Sequence, residues 1–567
     1  MSFTVEPVAL FIHERLSAQA ILETAKRNDV QRDFFADPQQ KYREAVKFYE
    51  HDVPWSNRLI LGDSLQVMDS LAHREGLAGQ VQMAYIDPPY GINFRSNFQP
   101  EVFDMGGGDS DRHLSREVEQ IKAYRDTWEL GVHSYLSYLR KRFVVTRELL
   151  KDSGSIFVQI SVKNVHQVRC LLDDVFGADN FVAEIVLRTR STSTSKYLST
   201  LNDFILWYAK DREQLKFRQL FLEKSPDRNR FSKGELPTGE VVSASAAQHR
   251  AQNAELFTTS SLFSTSGGKT ESQDFTFRGK TYRPIPSRGW RCSLEGLEKL
   301  AKANRVIPLD ANLGYKYYFA DAPYTEVTNL WSEQLSEINK IYVVQTNTTA
   351  VQRCILMSTD PGDIVLDPTC GSGTTAYVAE QWGRRWITID TSRIAITLAR
   401  TRLLTATFDY YKLKDEKVGI GGGFTLEQTP HIQLRDIANN VALDAIFEKH
   451  EPLIAKKLAN VNAALKSVTP ALRKQLKLKL QQKKKRDVTE ADRRRWDLPE
   501  TAWEEWEVPF DTEPDWPKAL QKAVTAFRKA WKAKMKEVND CIAASAKIEE
   551  LVDRPAVQKN LMRVSGP

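Results

Sequence analysis

The chain has 567 residues, too many for one hydrophobic core, so several domains or one large domain with appendages are expected. Its composition, 41% hydrophobic and 27% charged, is that of a soluble globular protein, and no apolar run approaches the roughly 20 residues that a membrane helix needs. A formal net charge of +7 is compatible with a nucleic-acid partner without identifying one.

The N-terminal stretch MSFTVEPVALFIHERLSAQAILETAKR lacks the apolar block and small-residue cleavage site of a secretory signal, so the cytoplasm is the expected compartment and no membrane association is expected. Residues 1–50, with Ala18, Ile21, Leu22 and Ala25 at helical spacing, are expected to form an N-terminal helical extension. From Arg58 onward short apolar runs alternate with helix-like stretches: RLILGD, VQMAYIDPPY, GSIFVQIS and, far downstream, DIVLDPTCGSGTT and RWITIDTS. This alternation predicts an α/β architecture with a mostly parallel sheet covered on both faces. The sheet-forming pattern occupies 51–216 and resumes over 341–415. Between them, residues 217–340 read as an inserted domain, with TTSSLFSTSGGKTESQ as a mobile loop.

After Leu413 the run VGIGGGF reads as a loop or hinge, and 416–567 as a basic, largely helical region. Within it, Leu520, Val524, Phe527, Trp531, Met535 and Val538 recur at three- and four-residue intervals, which predicts an amphipathic helix. Cations crowd the stretch from Arg473 to Arg495, Lys479, Lys483, Lys485, Arg486 and Arg494 among them. That stripe is expected to hold a nucleic-acid backbone, with an exposed helix face as the bland alternative. Trp496, Trp503, Trp506, Trp516 and Trp531 are expected to pack a core, a docking surface being the other reading. The five cysteines stand far apart, so neither disulfides nor a metal cluster are indicated. The ending RVSGP suggests a natural polypeptide cut short.

Two motifs carry chemistry. Asp87-Pro88-Pro89-Tyr90 follows directly on the apolar strand VQMAYI, at the strand end where open parallel sheets bind ligands. A proline turn capped by Asp is the bland reading. The residue types fit a sharper one: an exocyclic amine conjugated with a base ring is a poor nucleophile until its N–H groups are held by acceptors. Asp87 supplies one acceptor and the Pro88 carbonyl a second, on a backbone fixed by prolines that have no N–H of their own. Tyr90 offers a face on which an extruded base can stack, worth about 1 to 3 kcal/mol.

The second motif is Asp367-Pro368-Thr369-Cys370-Gly371-Ser372-Gly373-Thr374, again after a strand and before a helix. Its glycines permit a sharp turn and close approach to a ligand, and the helix start presents unpaired N–H groups. Asp390, ending the next strand about twenty positions on, stands where acidic residues bind ribose hydroxyls in nucleotide-binding α/β folds. The third glycine of the dinucleotide fingerprint is missing, which disfavours NAD. A P-loop around Gly267-Gly268-Lys269-Thr270 is excluded because Phe263 stands where its first glycine is required.

With both motifs in hand, the sequence resembles the DNA amino-methyltransferases, specifically the permuted beta class in which DPPY precedes the cofactor loop, to which modification subunits of type III restriction systems belong. The resemblance spans roughly 57–410 and implies a Rossmann-like sheet in circularly permuted order, with S-adenosylmethionine as cofactor and base flipping followed by direct in-line methyl transfer. By the same resemblance, Asp63 in NRLILGDS lies near the cofactor adenine, and segments like Tyr138–Arg142, Ile156–Val158 and Val175–Phe181 recur as parts of the sheet. Two departures stand out. Thr369 replaces the usual Phe, whose apolar contact must be replaced or absent, and Gln345-Thr346-Asn347-Thr348 replaces the usual Lys-Pro segment.

A motif that begins with Asp leans toward N6 of adenine, N4 of cytosine being the alternative. The 217–340 insert is the candidate target-recognition domain, where Arg278, Lys280, Arg283, Arg288 and Arg291 interleave with Phe277, Tyr282 and Trp290. Double-stranded DNA is the expected partner, and a separate restriction or defence subunit and a homodimer stay open. So do two rival readings: a stand-alone regulatory methyltransferase, and a catalytically silent DNA-binding or assembly subunit.

Overall fold

The structure, a computed structural model, describes residues 5, 7–16, 46–47, 49, 51, 53–88, 132–189, 197–227, 229–245, 253–264, 273–284, 288–309, 312–333, 347–484 and 488–565. Pro89, Tyr90, Ala18, Ile21, Leu22, Ala25, Gly267 to Thr270, Gln345, Thr346, Lys485 and Arg486 lie outside the described residues. The chain divides into two compact units, one formed by 1–221, 326–427 and 551–567, the other by 222–325 and 428–550.

The first unit is built in the order β1 (Arg58–Leu61), α1 (Ser64–His73), β2 (Val81–Ile86), α2 (Val132–Leu149), β3 (Leu150–Ser161), α3 (Val165–Phe176), β4 (Phe181–Arg188), β5 (Asn202–Ala209), β6 (Leu330–Trp331), α4 (Thr348–Ser358), β7 (Ile364–Asp367), α5 (Thr374–Gln381), β8 (Arg385–Asp390) and α6 (Arg393–Thr405). Its eight strands lie in the order β6-β4-β5-β3-β2-β7-β8-β1. Only β5 runs against its neighbours; every other pairing is parallel. Late strands β7 and β8 are thus threaded between the early strands β2 and β1, which is the permuted order.

Strands buried on both faces need apolar residues at successive positions, and β2 is buried throughout. Met83 and Tyr85 enter one core, beneath Val351, Cys354 and Ile355 of α4 and Ala376 of α5. Ala84 and Ile86 enter the other, with Met68 of α1, Phe143 of α2 and Leu172 of α3. Each such large aliphatic or aromatic side chain contributes about 1.5 to 3 kcal/mol by leaving water. A smaller sheet completes the unit, in which Val557–Val564 lies between Val46–Lys47 and Thr407–Tyr411. It brings Arg563, fully buried, to Glu380 at 2.7 Å, with its guanidinium 4.8 Å from the ring centres of both Tyr49 and Phe408.

The second unit holds a five-stranded antiparallel sheet in the order Val306–Pro308, Leu313–Tyr318, Glu255–Ser261, Lys233–Glu235, Val241–Ser243. On this sheet the buried Lys316 ammonium meets Glu235 at 2.7 Å, and the Tyr318 hydroxyl donates to the same carboxylate at 2.6 Å. The unit also contains the long helices Ala442–Leu465 and Lys518–Ser545, the latter burying Leu520, Val524, Phe527 and Val538 as its spacing predicts. Among the described residues no helix is long and apolar enough to cross a membrane.

Several expectations need correction. Residues 7–16 form no helix, and Val46–Lys47 is a strand. Residues 326–333 belong to the first unit, where Leu330–Trp331 adds the outermost strand, and 428–550 joins 222–325 in one unit. Thr258 to Ser261, expected in a mobile loop, pair with Tyr317 to Gly314. The VGIGGGF run is a packed turn with Ile420 and Phe424 buried in the first core, because these two apolar side chains outweigh the freedom of the glycines around them. Tyr138–Arg142 and Val175–Phe176 are helical.

Candidate active site

Four strand ends share one edge of the large sheet. Leu366 pairs with Ala84, Asp367 with Thr388 and Asp390 with Leu61, so the loops after β2, β7, β8 and β1 emerge side by side. Those loops carry Asp87, the 368–373 turn, Asp390 and Asp63. The carboxyl edge of an open parallel sheet is where ligands bind, because helix starts and free loop backbone converge there.

The two sequence motifs touch. The backbone N–H of Asp87 donates to the Thr369 hydroxyl at 2.9 Å, across 282 residues of sequence. That hydroxyl donates in turn to Asp367 Oδ1 at 3.1 Å, and the Thr369 N–H donates to the same oxygen at 2.9 Å. Thr369, where an apolar Phe was expected from the resemblance, thus exchanges an apolar contact for a polar joint between the loops. Asp87 itself is half-buried beside α2, close enough to Tyr135 for its charge to help burial raise that phenol.

The glycine turn is locked from below. Asp390 accepts from Gly371 N–H at 2.9 Å and from Ser392 N–H at 2.8 Å, and Cys370 N–H donates to the Ile389 carbonyl at 2.9 Å. Gly373 has φ +73°, and a Cβ there would lie 2.9 Å from the Ala399 Cβ, so this position needs glycine for conformation and for space. Arg402 of α6 donates to Thr374 Oγ1 at 3.0 Å and to the Ser372 carbonyl at 3.3 Å. No side chain caps the start of α5 among the described residues. The Cys370 thiol is buried and pushed well up, first by burial and then by Asp367, so it is a packing group and not a thiolate nucleophile.

Asp63 caps α1, accepting from Leu65 N–H at 2.9 Å, while its other oxygen receives the Arg142 guanidinium at 2.7 Å. Arg142, buried on α2, also donates to Ser64 Oγ at 2.8 Å and stacks 3.5 Å from the Tyr138 ring centre. The Tyr138 phenol is raised by burial, opposed by Arg142, with Asp63 and Asp390 adding to the rise.

The described site residues Asp87, Pro88, Asp63, Asp367 to Thr374 and Asp390 therefore line one edge; Pro89 and Tyr90 lie outside the described residues. Sequence reasoning missed Tyr135 and Arg402 and named Arg142 only within a recurring segment, without a role at the site. No local motif marks them, since each acts by reaching a loop distant in sequence. Much of the basic stripe is engaged within the chain, while Lys474, Lys484 and Arg493 stay exposed and Lys485 and Arg486 lie outside the described residues. Lys479 pairs with Glu513 and Asp515, Lys483 with Asp492, Lys477 with Asp497, Arg494 with Glu490 and Arg495 with Asp492 and Asp511, while Arg473 donates to the Leu498 and Pro499 carbonyls. Arg278, Lys280, Arg283, Arg288 and Arg291 are exposed above a buried Phe275, Tyr282 and Trp290, with Arg283 paired to Asp274 at 2.7 Å and Arg291 donating to Ser260 Oγ and the Ser261 carbonyl at 3.3 Å.

A family model described as DNA methylase matches residues 81–401. The chain is 29% identical over 334 residues to the type II methyltransferase M.EcaI of Enterobacter cloacae, covering 56% of this chain and 63% of that protein. It is 26% identical over 427 residues to the probable type III restriction-modification enzyme HindVI Mod subunit of Haemophilus influenzae, covering 65% and 53%. The match spans between about half and two thirds of the length of these relatives. Among solved structures, M1.HpyAVI in complex with SAM is similar at 13% identity and a TM-score of 0.29, covering 61% of this chain and 98% of that one, a likeness too loose to carry any inference.

Proposed function

The chain belongs to the DNA methylase family, whose model covers 81–401, and on that footing we propose that it transfers a methyl group from S-adenosylmethionine to N6 of adenine in double-stranded DNA. The observation that carries this reading is the hydrogen bond from Asp87 N–H to Thr369 Oγ1, which sets the amine-binding loop against the glycine turn.

The residues at this edge suit the cofactor. Asp63, with 41% of its side chain exposed, can accept from an adenine amine or a hydroxyl. Asp390 accepts backbone N–H groups from Gly371, Ser392 and Thr391, which leaves about one of a carboxylate's four lone-pair positions for a ribose hydroxyl. The uncapped start of α5 offers N–H groups to a carboxylate. Asp367, Pro368, Thr369, Cys370, Gly371, Ser372, Gly373 and Thr374 form the turn that would pass beneath the cofactor. When bound, S-adenosylmethionine supplies an electrophilic methyl on a positively charged sulfur.

The chain's own part is to prepare the amine. Asp87 accepts one N–H of the extruded base and the Pro88 carbonyl the other, which frees the nitrogen lone pair from the ring and orients it for attack. The proton released as the N–C bond forms departs along the hydrogen bond to Asp87. Tyr90, next in the motif, holds the base by stacking. Reading of the recognition sequence is assigned to the second unit, whose hairpin Phe275–Tyr282 carries the exposed cations Arg278 and Lys280.

Because HindVI Mod is named as the modification subunit of a type III system, we place this chain as the modification component of a restriction or phage-defence system in the cytoplasm. Cleavage would then belong to a separate subunit. Tritiated methyl transfer to unmethylated phage DNA tests the core of the reading: Asp87→Ala is expected to lower kcat by at least about 100-fold with cofactor binding retained. Undiminished transfer by that variant would refute the role of Asp87. Modification-aware sequencing of the product separates N6-adenine from N4-cytosine.

A further inference from the structure

β2 stays paired with β3 through Ile86, and β7 with β8 through Asp367, before each leaves the sheet as a loop; the last pairing between β2 and β7 themselves is Ala84 with Leu366. Three residues beyond that pairing on each, Asp87 N–H meets the Thr369 hydroxyl at 2.9 Å. The hydroxyl has one proton, and it is directed at Asp367 Oδ1, 3.1 Å away. Amide and hydroxyl therefore donate in one direction toward the carboxyl, each bond polarising the next. It ends on a carboxyl that is only 4% exposed, fixed by β7 and by the Thr369 N–H.

Resting on the methyl-transfer reading, we infer that Thr369 is a positioning residue, whose hydroxyl ties the Asp87 loop to the cofactor turn and so fixes the amine acceptor relative to the methyl donor. A side chain that only lines a cofactor pocket would act on cofactor affinity. Thr369 acts instead on the distance between two loops, and a displacement of about 1 Å between reacting groups costs about 100-fold in rate. Its signature is a loss of kcat at unchanged cofactor affinity. The hydroxyl carries the effect, and the methyl group does not.

The test uses the full chain with S-adenosylhomocysteine as the binding probe, measured calorimetrically without DNA, and tritium transfer to unmethylated phage DNA as the kinetic one. For Thr369→Val the expected result is inhibitor affinity within about 3-fold of wild type and kcat lowered about 10- to 100-fold, with Thr369→Ser restored to within about 3-fold of wild type. Thr369→Ala gives the same readout from a smaller side chain should valine overpack the turn. Three results would overturn the assignment: a valine variant with wild-type kcat, a serine variant no better than valine, or equal losses in inhibitor affinity and kcat. A wild-type chain that binds the inhibitor yet labels no DNA would remove the methyl-transfer reading itself, and the positioning role with it.

Discussion

Asp367 is nearly sealed from water, and its carboxyl is pushed up to about 6, chiefly by burial, against bonds from Thr375 and Thr369 that pull it down. With an unfolded value near 3.8, the folded chain holds this proton more tightly than the unfolded one. Its contribution to stability is therefore fully present below about pH 3.8 and is lost as the pH rises through about 6. Asp367→Asn removes the buried charge while keeping an oxygen for Thr369, and is expected to stabilise the fold by about 1 to 3 kcal/mol at pH 8 and by far less at pH 5. Thermal melts of both proteins at the two pH values check this; an equal shift at both would show that the carboxyl is not the titrating group. At this scale the sequence was informative where chemistry is local. Asp87, Asp390 and the glycines are legible because strand end, turn and spacing sit in one short stretch. Thr369 read as a departure and Arg142 only as part of a recurring segment, because the partners that explain them, Asp87 and Asp63, are brought near only by the folded sheet.

Among elements, the hairpin and the helices of the second unit present their cations differently, the hairpin's exposed and many of the stripe's in ion pairs. A run of lysines and arginines is less available to nucleic acid once acidic residues further along the chain are counted: Asp511, Glu513 and Asp515 lie beyond the stripe and pair with its Lys479 and Arg495. The Phe275–Phe277 and Lys280–Tyr282 strands turn at Arg278, whose φ of +50° and neighbouring Gly279 close a two-residue loop. Arg278, Lys280 and Arg288 are exposed there. Replacing these three by alanine is expected to weaken DNA binding and to reduce the slope of log affinity against log salt by about 0.9 for each phosphate left without its cation. Lys479→Ala with Lys483→Ala is expected to leave that slope alone and to lower the melting temperature, since Lys479 and Lys483 hold carboxylates. Salt titrations of the two variants distinguish the surfaces, and a changed slope in the second would restore the stripe as a DNA-binding surface.

At the scale of the whole molecule, the alternation of strands and helices made the sheet legible, while the division into units was not. Residues 551–567 carry no motif, yet Arg563 neutralises Glu380, which also accepts from Asn57 and Trp386. Removing everything after residue 550 leaves that carboxylate buried without its cation, a loss of about 3 to 5 kcal/mol. The shortened chain is expected to melt at a lower temperature and to aggregate, and adding Glu380→Gln to it should recover part of the loss. A shortened chain as stable as the full one would show that the last strand is dispensable.

That last strand also has a consequence for synthesis. Val557–Val564 pairs with residues laid down near positions 46 and 407, so this small sheet of the first unit closes only after the intervening residues 428–550 of the other unit have been made. Until synthesis has passed position 564, a nascent chain therefore holds Val46–Lys47 and Thr407–Tyr411 without the strand that lies between them.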